Sequence, residues 1–81
     1  MQVSIKLHGA LRRHRPAADG AKHRPFMLAL EPGATVGMAL QALEIPGEIV
    51  SALAVNGEQA AVDTVLSDGD TVHIFPPAAG G

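Results

Sequence analysis

One apolar stripe at helical spacing, Val36, Ala39, Leu40 and Leu43, stands among segments whose apolar residues recur at every second position. A lone amphipathic helix must bury that stripe. With no second long helix to pack against, the surface left for it is one face of a sheet. Thr35 is placed to cap the helix at its start and Pro46 to stop it, with Ile45 closing over the core. The chain has 81 residues, which is one small domain. A domain of that size buries only about 60% of the surface its unfolded form exposes. Apolar residues make up 47% of the sequence, enough for a core and too many for a disordered tail. Phe26 and Phe75 are the only aromatics, so this core is aliphatic.

The strands read from alternation. Val3, Ile5 and Leu7 alternate with Gln2, Ser4 and Lys6. Phe26, Leu28 and Leu30 form a second run, ended by the turn Glu31-Pro32-Gly33. Leu53, Ala54 and Val55 precede Asn56-Gly57, a favoured type I′ hairpin turn, after which Glu58 to Ala60 return as a brief edge strand. Thr71 to Phe75 is the last strand, with Val72 and Ile74 inward and His73 and Phe75 on the opposite face. Between them, Asp63 to Asp70 is irregular. Val65 and Leu66 are expected to plug the core there, and Ser67-Asp68-Gly69-Asp70 to turn tightly. Ala10 to Arg13 and Gly47 to Ser51 each allow one short helical turn. The order is strand, strand, helix, strand, short strand, strand. It predicts an α+β domain, a mixed sheet of four to five strands packed on one main helix. With an N-terminal hairpin, a crossing helix and the last strand parallel beside the first, that is the β-grasp arrangement. The expected domain covers residues 1–75, followed by a flexible C-terminal tail at 76–81.

Several function classes are argued against. No cysteine is present, so there is no disulfide, thiolate metal site or cysteine nucleophile. No apolar run approaches the roughly 20 residues of a membrane span, and Met1 to Lys6 does not read as a secretory signal, so a cytoplasmic protein with no membrane partner is expected. All six Lys and Arg lie between Lys6 and Arg24, with His8, His14 and His23 among them, whereas seven acids and no Lys or Arg follow from Pro25 onward. The basic segment carries no aromatic for base stacking and no recognition-helix pattern, which argues against nucleic acid. A solvated loop or a contact with an acidic protein surface fits it better. The acidic remainder can equally steer the domain toward a basic partner. The four histidines lack metal-ligand spacing, so no metal is expected. Asp68 and Asp70 flank Gly69 as turn residues do, and Ser51 and Ser67 have no triad context.

What remains is the end of the chain, Phe75-Pro76-Pro77-Ala78-Ala79-Gly80-Gly81. Residues without Cβ have minimal cross-section. Prolines start the arm extended, and six residues from Pro76 to Gly81 reach roughly 20 Å. Such an arm can enter a narrow channel in another protein. The α-carboxyl of Gly81 is ionised near neutral pH, and the arm can offer it for chemistry in that channel. The chain has no Gly-rich phosphate loop with a Lys, so it does not read as a nucleotide-binding enzyme itself. Phe75, just before the arm, is a candidate docking anchor, with His73 and Met27 beside it and Ala29 and Thr71 flanking if the first, second and last strands share one open face.

The stretch Leu53-Ala54-Val55-Asn56-Gly57 through Leu66-Ser67-Asp68-Gly69-Asp70 and on to Gly80-Gly81 resembles the C-terminal half of the MoaD/ThiS sulfur-carrier proteins, and Glu31 to Val36 resembles their entry into the helix. The segment Lys6 to Arg24 departs most from that pattern. The resemblance implies a ubiquitin-like β-grasp domain that is not itself an enzyme. Gly81 would be adenylated by an activating enzyme of the ubiquitin-activating type (MoeB- or ThiF-like) that uses ATP, then converted by a sulfur donor to a thiocarboxylate. No cofactor would be bound. The spacer Phe75-Pro76-Pro77 favours the MoaD branch, the small subunit of molybdopterin synthase with a MoaE-like large subunit. The alternatives are a ThiS carrier serving a ThiG-like thiazole synthase, a ubiquitin-like modifier joined to lysines, and a β-grasp interaction module that binds through Arg12, Arg13 and Arg15.

Overall fold

The computed structural model describes residues 1–14 and 25–77. The remainder of the basic segment and Ala78, Ala79, Gly80 and Gly81 lie outside the described residues, and with them the expected flexibility of the tail. Along the chain come β1 (Gln2–Leu7), a 3-10 helix (Gly9–His14), β2 (Phe26–Ala29), α1 (Val36–Ala42), a short 3-10 turn (Gly47–Ile49), β3 (Ala52–Val55), β4 (Glu58–Ala60) and β5 (Thr71–Phe75). They build a five-stranded sheet in the order β2-β1-β5-β3-β4. The central pair, β1 and β5, is parallel, and the other pairings are antiparallel. This is the β-grasp topology the sequence pattern predicts.

Alternation decides which face is buried. Val3, Ile5 and Leu7 of β1 and Val72 and Ile74 of β5 point the same way and meet Val36, Ala39 and Leu40 of α1 and Leu43 at its C-cap, all of them buried. Leu53, Ile45 and Leu66 complete the contact. Leu11, on the 3-10 helix after β1, is buried with them. No polar side chain among the described residues is buried, so the core is held by apolar transfer alone, at about 1.5–3 kcal/mol for each large aliphatic residue.

The helix ends are closed in different ways. At the start, the Thr35 hydroxyl accepts from the Met38 backbone N–H at 3.3 Å. The first free N–H groups, those of Val36 and Gly37, donate to the Thr64 and Val62 carbonyls at 3.0 and 2.8 Å. The irregular segment before β5 therefore satisfies the helix N-terminus from outside. At the other end, the Ile45 N–H donates to the Leu40 carbonyl and the Glu44 N–H to that of Gln41, which is the Schellman pattern. Its left-handed residue is Glu44, at φ 56°.

One core expectation is corrected. Leu66 is buried but Val65 is 64% exposed. Val65 forms an isolated antiparallel bridge with Thr35, and the Leu66 N–H donates to the Ala34 carbonyl. The backbone is extended there, so adjacent side chains leave on opposite sides and only one of the two can enter the core.

Candidate functional site

The face of the sheet turned away from the helix carries the second set of alternating residues. Ser4 pairs with Thr71 and Lys6 with His73 across the parallel pair, Ser4 with Met27 toward β2, and His73 with Ala54 and Phe75 with Ala52 toward β3. No helix among the described elements covers this face. His73 and Phe75 share it, their rings 6.2 Å apart. Thr71 and Met27 share it too, but at its other end. Met27 is 57% exposed, and its row meets β5 at Thr71, four residues or about 13 Å before Phe75. The cluster therefore forms around Phe75 and His73, and Met27 stands apart from it.

A residue the sequence reading placed in the basic segment completes the cluster. The parallel register that joins Leu7 to Ile74 runs one step further and brings His8 beside Phe75. The His8 N–H donates to the Ile74 carbonyl at 3.1 Å. Its imidazole lies flat on the Phe75 ring, with centroids 4.3 Å apart and an interplanar angle of 11°. Its Nε2 is 3.1 Å from Nδ1 of His73, so one nitrogen donates and the other accepts. The signal was available in the alternation Ser4, Lys6, His8, which carries the open face one residue past the strand.

The electrostatics of the cluster follow from its neighbours. Burial against the rings, and then electrostatic repulsion from the neighbouring His73, Lys6 and Arg12, hold the His8 pKa below its ordinary value. His8 is therefore neutral at pH 7. The cluster is an aromatic platform with cations at its rim. Two imidazoles meet here, but no group of three metal-ligating side chains forms among the described residues.

The tail starts at this platform. Pro76 is half-buried and Pro77 exposed. The Ser51 N–H donates to the Phe75 carbonyl at 2.9 Å, and the Ser51 hydroxyl donates to the Pro76 carbonyl at 2.7 Å. Gly81, Gly80, Ala79 and Ala78 belong to the residues not described.

The carboxylates flanking Gly69 are structural. Asp70 accepts from the Ser67 N–H at 2.8 Å and from Asn56 Nδ2 at 2.9 Å, and these bonds, the backbone one first, lower its pKa. Asp68 accepts from the Gln2 N–H at 2.7 Å, and Gly69 supplies φ 88°. A cleft of about 290 Å³ opens between α1 and the β3–β4 edge, near Leu40, Val50, Leu53 and Gln59. No titratable side chain lines it, and the hydroxyl of Ser51, at its rim, is committed to Pro76. Among the described residues no helix is long and apolar enough to cross a membrane.

A five-stranded mixed sheet on one helix, with an uncovered aromatic face at the root of the C-terminal arm, defines a ubiquitin-like β-grasp protein. The chain belongs to the ThiS family, which it matches over residues 21–81, among the ubiquitin-like sulfur carriers and modifiers. Small archaeal modifier protein 1 of Haloferax volcanii is similar in structure, with 27% identity, a TM-score of 0.70, and 95% of this chain and 98% of that one covered. Subunit 1 of the molybdopterin-converting factor of Helicobacter pylori, solved in complex with subunit 2, is 25% identical, with a TM-score of 0.58 and both chains fully covered. A putative molybdopterin converting factor subunit 1 from Pyrococcus furiosus shares the fold at 24% identity, with a TM-score of 0.71 over 95% of this chain and 98% of that one. No curated protein matches the sequence.

Proposed function

We propose that this protein is a sulfur carrier of molybdopterin biosynthesis, and that the carboxylate of Gly81 is its working group. An activating enzyme of the ubiquitin-activating type binds the open sheet face and receives the arm. The Gly81 carboxylate attacks the α-phosphate of ATP, pyrophosphate leaves, and the acyl-adenylate forms. A sulfur donor then displaces AMP and leaves a thiocarboxylate. The domain is the carried substrate in these steps and binds no cofactor of its own.

The observation that carries this reading is the Phe75 platform. It is half-buried, aromatic and stacked with His8 and His73, and it lies directly before the arm. A partner docked on it has Gly81 within reach, since the five residues from Pro77 span about 17 Å when extended. The spacer Phe75-Pro76-Pro77 and the likeness to molybdopterin-converting subunits favour a synthase large subunit as the recipient of sulfur, rather than a thiazole synthase. Pull-down from the native host separates the two.

The test is direct. The purified chain is incubated with its host's activating enzyme, ATP and a sulfide source, and its intact mass is read. Replacement of one terminal oxygen by sulfur is expected, and deletion of Gly81 abolishes it with the fold unchanged. A truncated chain that still forms an adenylate overturns the reading. The likeness to small archaeal modifier protein 1 supports a second reading, attachment to lysines. Mass spectrometry of host extracts would then find Gly81 in isopeptide linkage.

A further inference from the structure

The last strand ends at Phe75, but Pro76 is still flanked on both sides, and bonded on one. On the β1 side, His8 covers Phe75 and Gly9 faces Pro76. Gly9 has φ 57°, and a Cβ built on it would lie 2.8 Å from Pro76 Cγ. That separation is closer than carbon atoms approach without displacement, and the left-handed backbone is itself unfavourable for a residue with a side chain. On the β3 side, Ser51 holds the Phe75 carbonyl through its N–H and the Pro76 carbonyl through its hydroxyl. Pro76 cannot donate to a ladder, so without these contacts pairing would stop at the strand end. Ser51 is exposed and Gly9 carries no side chain, so neither supports the core. Both act on the root of the arm.

We propose that Gly9 and Ser51 form a clamp on Pro76 that sets the direction in which the C-terminal arm leaves the sheet. The clamp orders the root before a partner is met, so less of the arm must be ordered on insertion. It also couples the docking face to the arm, because His8 and Gly9 are consecutive, the first stacked on Phe75 and the second facing Pro76. Gly9 and Ser51 are positioning residues for the activation step. This inference rests on the carrier reading above, but it has a readout that needs no partner.

The experiment uses three variants of the whole chain. Ser51→Ala removes the hydroxyl and keeps the N–H. Gly9→Ala adds the Cβ that meets Pro76. Ser51→Thr keeps a hydroxyl. Backbone 15N relaxation at the Ala78 and Ala79 amides reads the arm, and pyrophosphate exchange by the host's activating enzyme reads its presentation. With melting temperatures near the parent's, Ser51→Ala and Gly9→Ala are expected to lower the order parameters at Ala78. They are also expected to lower kcat/KM about tenfold, the factor expected when one more residue is ordered only on docking. Ser51→Thr restores both. Order parameters and kcat/KM unchanged in a folded Ser51→Ala protein overturn the clamp, and that variant decides alone if Gly9→Ala does not fold. If the parent chain is not activated at all, the carrier reading fails, and the relaxation data still judge the clamp.

Discussion

Among the described residues, Glu44 and Asn56 hold backbone conformations that side chains rarely adopt, and they differ in what they receive for it. Glu44 closes the helix at φ 56°, where a glycine is the usual occupant, and its side chain is exposed. Glu44→Gly removes the left-handed strain at the cost of a freer unfolded chain, and is expected to stabilise the fold by about 0.5–1 kcal/mol in urea unfolding. Asn56, at φ 53°, opens the β3–β4 turn. Its side chain reaches across to the turn before β5, where Nδ2 donates to Asp70 and Oδ1 accepts from the Thr71 N–H at 2.9 Å. Asn56→Gly keeps the turn geometry and deletes both bonds. A loss of about 1–2 kcal/mol is expected, read as a lower urea midpoint at constant slope. The strain at Glu44 is uncompensated, whereas Asn56 ties two turns together.

At the level of elements, the central parallel pair decides the molecule. Paired residues of β1 and β5 are 67 positions apart in sequence, as Leu7 with Ile74, yet the two strands are adjacent in the sheet. Their shared edge buries Ile5 and Ile74 on one side and presents His8, His73 and Phe75 on the other. That arrangement gives stability a defined pH dependence. His8 binds its proton less tightly folded than unfolded, so the unfolded chain takes up protons first as pH falls below the ordinary value of 6.5. Stability is expected to decline through that region. His8→Phe, which keeps the stack on Phe75, should flatten the decline between about pH 7 and pH 5 in thermal melts. Asp70 acts in the same direction at lower pH. Its pKa is held below 3.8, so the stability it adds above that value is lost as the carboxylate protonates. The two windows are separate, so a melt series across both distinguishes them.

The whole molecule separates stability from recognition by face. The helix side of the sheet is aliphatic and dry, and the open side carries the aromatic platform. A domain this small has a stability of only about 4–12 kcal/mol. Ile5→Ala, at a fully buried site, is expected to cost about 3–4 kcal/mol and to bring the melting temperature down by well over 10 °C, as followed by circular dichroism. Phe75→Ala should cost about 1 kcal/mol in stability but weaken partner binding tenfold or more by calorimetry. Equal losses of stability at the two sites would refute this division of faces.

Local chemistry made most of the architecture readable from the sequence. Period-two alternation placed β1, β2 and β5, helical spacing placed α1, and Asn56-Gly57 placed the β3–β4 turn, because each signal depends only on neighbouring residues. The same alternation put Phe75 and His73 on one face. What it could not supply was register, which is set by pairing between segments far apart in the chain. Only the folded sheet brought His8 onto Phe75, moved Met27 to the far end of the face, turned Val65 outward against Thr35, and set Gly9 and Ser51 on either side of Pro76. Those contacts join positions as much as 67 residues apart, from Gly9 to Pro76, and no local rule carries information over that distance.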